Sequence, residues 1–279
     1  MTPIKLSLIC STYNAPRFLS LVLECLLDQT FQNFELLIAD DGSGDETRTL
    51  IESFSKRAPF PVHHFWHEDQ GFRKARIHNE AVRHAQAPLL VFIDGDIVPE
   101  RTFLEDHFNT FVEAQGQPYV LMGRRVELGA KITETLTPKN IRRRLRPLSL
   151  SHLRSQLSGD SRTWFRSVRV QNPALRSLLK LNSVKDLLGA NFSLPKALFE
   201  QVNGYNEAIE GYWGEDGDLF IRLRNTGANM IGKKSFTVCY HLYHPQKAYD
   251  PERERSYQAR LQDTHYLRCD LGLTADRKM

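Results

Sequence analysis

The chain has 279 residues, 41% apolar and 25% charged, enough for one large α/β domain or two small ones with a sizeable core. No apolar run approaches the ~20 residues of a membrane-spanning helix, and Met1 to Leu8 lacks the h-region of a secretory signal, so the sequence predicts a cytoplasmic protein. The net charge of +4 conceals an asymmetry: Lys139 to Lys185 carries 12 Lys or Arg against one acid, Asp160, while the remainder is acidic.

Leu6-Ser-Leu-Ile-Cys10 predicts a buried strand, and Pro16 a first helical turn, followed by Phe18, Leu19, Val22, Leu23, Leu26 and Leu27 at helical spacing. Phe34 to Ala39 predicts a second strand, with Asp45 as cap of a helix running towards Lys56. Val62 to Trp66, a helix from Arg73 to Ala85, and the fully apolar strand Leu89 to Ile93 complete an alternating pattern. Such alternation implies a parallel sheet covered by helices on both faces. Tyr119 to Met122 predicts a further strand, and Ile141–Leu157 and Pro173–Leu188 amphipathic helical stretches. Gly189 to Pro195 reads as a strand entering a helix, Asp218 to Arg224 as a helix, and Phe236 to Tyr240 as a last strand. Four widely spaced cysteines (Cys10, Cys25, Cys239, Cys269) predict reduced thiols, with neither disulfides nor a zinc site. No linker or repeat divides the chain. We expect one domain: a nucleotide-binding half over 1–125, a basic helical insertion over 131–186, and an acceptor half over 187–250.

In parallel sheets ligands bind beyond the carboxyl ends of the strands. Three polar clusters fall there: Ser11-Thr-Tyr-Asn14, Asp40-Asp-Gly-Ser43 and Asp94-Gly-Asp96. Carboxylates beside a diphosphate make sense only with a divalent cation between them, and hard oxygen ligands suit Mg²⁺ or Mn²⁺. Asp94 and Asp96 can share that work, one on the metal and one on ribose or a bound water. Taken alone, the triplet is an ordinary acidic turn; its place among three such clusters points to a site. Asp41 is a candidate acceptor for the uracil imide N–H, and Tyr13 a face for the base. Arg73, Arg76 and His78, at a helix start, can neutralise phosphates with help from the helix dipole; Arg76 reads equally well as a solvated side chain. In Trp213-Gly-Glu-Asp-Gly-Asp218 a carboxylate can act as general base, Trp213 or Tyr212 can stack on a sugar ring, and Glu215 can hold hydroxyls. One of His241 and His244 completes the metal shell.

Assembled, these residues resemble a family 2 glycosyltransferase of the GT-A fold, from about Lys5 to Pro245, with 131–186 poorly covered. The resemblance rests on Ser11 to Asn14 with Asp40-Asp41, on Asp94-Gly95-Asp96, and on Gly189-Ala-Asn-Phe-Ser leading to Trp213-Gly-Glu-Asp216. That last portion is similar to the acceptor motif of galactosyltransferases and of bacterial chondroitin-type polymerases. The resemblance implies Asp216 as the base, Asp96 with His241 rather than His244 on the metal, and Asp41 on uracil. It implies inverting transfer from a UDP-sugar to a carbohydrate or glycolipid acceptor, as in bacterial surface polysaccharide or lipopolysaccharide assembly. Relatives usually carry arginine where this chain has His78. Two rivals stand beside this reading. A nucleotidyltransferase lacks support, because no basic glycine-rich loop follows the first strand. A nucleic-acid-binding module would rest on Arg142 to Arg146; we expect no nucleic acid, and instead contact of the basic insertion with anionic membrane or a phosphorylated acceptor.

Overall fold

The computed structural model describes residues 3–146, 149–183, 186–211, 214–245 and 262–274. Ten strands lie along it: β1 (Leu6–Thr12), β2 (Phe34–Asp40), β3 (Val62–Trp66), β4 (Leu89–Asp94), β5 (Ile97–Pro99), β6 (Tyr119–Met122), β7 (Val126–Glu127), β8 (Phe192–Pro195), β9 (Asn229–Gly232) and β10 (Cys239–His241). Seven form a sheet in the order β3-β2-β1-β4-β8-β6-β9, and β5, β10 and β7 form a small second sheet. Strands β3, β2, β1 and β4 are parallel, as the alternating pattern predicts. Strand β8, to which the pattern gave no direction, runs antiparallel to both β4 and β6.

The period-2 alternation of side chains gives each face its own core. Leu6, Leu8 and Cys10 of β1 meet Leu19, Val22, Leu23 and Leu26 of the helix Pro16–Leu26, together with Ile51 and Phe54 of Asp45–Ser55. Ile9 faces the other way, onto Ile77, Ala81 and Val82 of the helix Lys74–His84, in a cluster that includes Leu219 and Leu223 of Glu215–Asn225. Each such fully buried aliphatic side chain contributes about 1.5–3 kcal/mol over an exposed one. Two apolar layers therefore fix the sheet from both sides and leave its carboxyl edge to the polar residues.

Several predicted boundaries move. Asp45 is the first residue of its helix, behind Gly44 as cap, with its side chain in solvent. The stretch Ile141–Leu157 is two helices, Ile141–Arg144 and Leu150–Leu157, and Pro173–Leu188 shortens to Pro173–Leu178. The helix forecast from Asp218 begins at Glu215, where Gly214 takes a φ of +113° that only glycine adopts cheaply. Trp213 and Tyr212 lie outside the described residues. All four cysteines are buried free thiols, and no helix among the described residues is long and apolar enough to cross a membrane.

Candidate functional site

Register brings the three polar clusters together. Ser11 pairs with Asp94 across β1–β4, and Thr12 with Asp40 across β1–β2. The backbone N–H of Gly95 donates to the Ser11 carbonyl at 2.6 Å, so the chain turns at once after β4 and carries Asp96 back beside β10. There the N–H of Leu242 donates to the Asp96 carbonyl at 3.0 Å, and His241 pairs with Ile97. Asp96 and His241 thus become neighbours although 145 residues separate them in sequence.

Asp96, His241 and His244 each direct one donor atom to a common point, all within 4.8 Å of one another. Asp96 Oδ2 lies 3.5 Å from His241 Nε2 and 3.1 Å from His244 Nε2, and the two Nε2 atoms are 3.2 Å apart. Adjacent ligands on an octahedral cation with bonds of about 2.1 Å stand about 3 Å apart, so this spacing fits Mg²⁺ or Mn²⁺, and the two imidazoles favour Mn²⁺. Asp96 Oδ2 is the oxygen that faces the two imidazoles, while Oδ1 is buried with no hydrogen-bond partner and so is not committed elsewhere. Burial works against the Asp96 charge, but hydrogen bonds from His241 and His244 outweigh it and hold the carboxyl well below its usual range. His241 Nδ1 contacts Glu127 Oε2 at 2.7 Å, the carboxylate partner that orients a ligating imidazole. Burial opposes the imidazolium, but Asp96 and Glu127 push its pKa up to about 9, so a metal must displace a proton.

Asp94 stands apart from this trio. Its Oδ1 accepts from Lys74 Nζ at 2.7 Å and from Ser11 Oγ at 2.6 Å, and it is not among the grouped ligands. Asp94, expected to share the metal, is here in contact with an ammonium that neutralises it. Burial works against the Lys74 charge, but Asp94, Asp216 and Glu215 together hold its pKa above the ordinary value. Lys74 is therefore the cation at the centre of the field of three carboxyl groups, with Asp94 in direct contact.

Asp216 and Glu215 open the helix Glu215–Asn225, where the positive helix end favours carboxylates. The Tyr205 hydroxyl donates to Asp216 Oδ1 at 3.1 Å. Gly189 closes the other side: a Cβ there would lie 2.1 Å from Asp216 Oδ2. Burial raises the Asp216 pKa above its ordinary value although Lys74 pulls it down. Burial, with the neighbouring Asp216 charge, pushes Glu215 up to about 7. Glu215 is 6% exposed, and its Oε2 has no partner. Asp218 serves structure, in a buried ion pair with Arg222 at 2.6 Å.

The remaining candidates divide. Ser11 and Asp41 lie at the strand ends as expected; both Asp41 oxygens take the Arg73 N–H, at 3.3 and 3.0 Å, and Oδ1 also meets His67 Nε2 at 2.7 Å. Tyr13 is 47% exposed and donates to Asp69 at 2.8 Å, leaving a ring face in solvent. The phosphate roles of the three basic residues are not what the geometry offers. Arg73 spends its guanidinium on Gln70 and on the Glu68 carbonyl, bracing the loop. Arg76 is exposed and, at ~100° per residue, about 200° round the helix from Lys74. His78 is fully buried beside Phe92 and Tyr205, and burial drives its pKa down to about 3, so it is a neutral core ring. Sequence reasoning passed over Lys74, Glu127 and Tyr205. For Lys74 a signal existed, since it shares a helix face with the buried Ile77, His78 and Ala81.

Comparison with known proteins identifies the family and the fold. The model of glycosyl transferase family 2 matches residues 7–168, and that of the N-terminal domain of galactosyltransferase matches residues 175–245. Among curated relatives, the chain is 27% identical to validoxylamine A glucosyltransferase of Streptomyces hygroscopicus subsp. jinggangensis, over 95% of this chain and 59% of that one. It is 21% identical to chondroitin synthase of Escherichia coli, over 89% of this chain and 36% of that one. The chain thus spans little more than half the length of the first relative, and about a third of the second. Among solved structures, a mannosyltransferase of Pyrobaculum calidifontis in complex with GDP-Man and Mn²⁺ superposes with a TM-score of 0.60 at 17% identity, covering 94% of this chain and 63% of that one. S. aureus TarS 1–349 in complex with UDP-GlcNAc gives a TM-score of 0.60 at 16% identity, covering 96% and 68%. The fold is that of the GT-A glycosyltransferases.

Proposed function

This chain belongs to glycosyl transferase family 2, and from that premise we propose a metal-dependent, inverting transferase that moves a sugar from a UDP-sugar to a carbohydrate or glycolipid acceptor. The observation that carries the reading is the convergence of Asp96, His241 and His244 at the carboxyl edge of the parallel strands, with Lys74 linking Asp94 electrostatically to Glu215 and Asp216. Similar proteins bound to UDP-GlcNAc, or to GDP-Man with Mn²⁺, support a nucleotide-sugar donor. Residues 1–125 form the donor half in this reading and 187–250 the acceptor half; surface polysaccharide or lipopolysaccharide assembly is the setting it suits.

Asp96, His241 and His244 would hold Mn²⁺ or Mg²⁺, which when bound neutralises the charge of the departing diphosphate. Asp216, fixed by Tyr205 and raised by burial towards the working pH, takes the acceptor hydroxyl proton. The hydroxyl oxygen then forms its bond to the anomeric carbon from the face opposite the diphosphate, as the anomeric C–O bond breaks and UDP leaves. Glu215 orients the acceptor through its unpartnered oxygen. A second reading exchanges the two carboxyls, favoured by that same oxygen and by a Glu215 pKa near 7. The direct test is a panel of nucleotide sugars scored for thermal stabilisation and slow hydrolysis, with and without Mn²⁺. Stabilisation by a UDP-sugar only with metal is expected; a panel in which none stabilises, or metal makes no difference, removes the proposal.

A further inference from the structure

Apolar side chains on a helix normally face the core. Between residues 150 and 179 this chain does the reverse. Of its fifteen large hydrophobic residues that stand exposed among the described residues, nine fall in this interval. On the helix Leu150–Leu157, Leu150, Leu153 and Leu157 recur at i, i+3 and i+7 on one face, 74%, 38% and 84% exposed. The single turn Trp164–Ser167 exposes Trp164 and Phe165, and on Pro173–Leu178 the pair Leu175 and Leu178 repeats the pattern, with Leu178 76% exposed. Three consecutive elements thus turn their apolar strips outward.

The cations around them are also free to act. Arg169 is committed to Asp106, Arg142 to Glu24, and Arg176 to backbone carbonyls. Arg143, Arg146, Arg154, Arg162 and Lys180 are exposed and make no salt bridge among the described residues. Arg154 lies one turn from Leu150 and shares the face of its leucines. An exposed apolar strip with guanidinium groups beside it, and a Trp and Phe between Arg162 and Arg166, is the pattern of a helix lying in a membrane interface.

We infer that the segment 142–180 docks this protein on an anionic lipid surface, its leucines and aromatic rings entering the acyl boundary and its arginines meeting the lipid phosphates. The net charge of +11 from Lys139 to Lys185 selects the occupant. A second copy of the chain would oppose two positive faces. A nucleic acid would satisfy the arginines but leave Leu157 and Leu178 in water. Only an anionic bilayer uses both halves of the surface, and it does so without any membrane-spanning helix.

The test is co-sedimentation of the full chain with pure phosphatidylcholine vesicles and with vesicles half phosphatidylglycerol, in low and moderate salt. Binding to the anionic vesicles is expected, about fivefold weaker for Arg143→Gln or Arg154→Gln, and about tenfold or more weaker for the double substitution Leu157→Ser with Leu178→Ser. These side chains are solvent-exposed, so circular dichroism should show an unchanged fold. Equal pelleting on neutral and anionic vesicles overturns the inference. So does full binding by the double leucine variant, since arginines acting alone would then explain everything. A dimer in sedimentation velocity that the leucine variant abolishes, with no vesicle binding by the parent, identifies the surface as self-association and likewise overturns it. Donor binding by the same protein is read separately, so failure of the membrane inference leaves the transferase reading intact.

Discussion

Gly189→Ala adds one methyl group against the carboxylate proposed to take the acceptor proton. The new Cβ would lie 2.1, 2.3 and 2.4 Å from Asp216 Oδ2, Oδ1 and Cγ. Ordinary carbon–oxygen contact begins near 3.2 Å, so the carboxylate must retreat by about 1 Å, and the 3.1 Å bond from Tyr205 goes with it. A displacement of about 1 Å at a reacting group costs about 10²-fold in rate. Loss of the buried hydrogen bond costs about 1 kcal/mol of stability, too little to unfold a domain of this size. The expected result is kcat about 10²-fold lower at saturating acceptor, donor affinity unchanged because the nearest atoms the new methyl meets all belong to Asp216, and a melting temperature a few degrees down. The assay is steady-state kinetics with varied acceptor, paired with calorimetry for UDP. A Gly189→Ala enzyme that folds and keeps kcat within twofold would refute the placement of Asp216 at the chemistry.

Asp216→Asn should lower kcat about 10²–10⁴-fold with donor binding kept, whereas Glu215→Gln should chiefly raise the acceptor KM; kinetics on both variants show at once whether the roles are reversed. Lys74→Met removes the charge that pulls the Asp216 pKa down, so the acid limb of the kcat/KM profile should move to higher pH, and an unmoved limb contradicts the coupling. Glu215, with a folded pKa of about 7 against an ordinary 4.5, keeps its proton while the unfolded chain loses its own. Glu215 should therefore make stability fall as pH rises from about 4.5 to about 7, by up to about 3 kcal/mol, and Glu215→Gln should flatten the slope by that share in urea titrations of the metal-free protein, leaving the part due to Asp106 and Asp216, which burial also raises. Because His241 carries a proton below about pH 9, Mn²⁺ affinity should rise about tenfold per pH unit between pH 7 and 9, and a flat profile in calorimetry would deny that His241 is a ligand.

What the sequence revealed and what it hid have distinct physical causes. The parallel half was legible because β1, β2 and β4 are buried on both faces and read as apolar runs, and each run ends abruptly in polar residues. Those ends share a register, so Ser11, Asp41, Asp94 and Asp96 group together in the sequence pattern itself. Direction was not legible: four residues, Phe192 to Pro195, look alike parallel or antiparallel, and β8 was assigned no orientation by its pattern. Charge type alone misled at the helix Lys74–His84. Arg73, Arg76 and His78 attracted the phosphate roles, yet one braces a loop, one faces solvent and one is a neutral core ring. Lys74 faces the acids because the helix period turns it there. Glu127 sits on a two-residue strand, too short to carry any periodicity.

The central claim is that Asp96, with His241 and His244, holds the cation on which donor binding depends. Calorimetry of UDP binding with and without Mn²⁺, on the parent chain and on Asp96→Asn, addresses it most directly. The account predicts tight UDP binding by the parent only with Mn²⁺, and an Asp96→Asn protein that folds normally but gains nothing from the metal. Unchanged metal dependence in Asp96→Asn would contradict it.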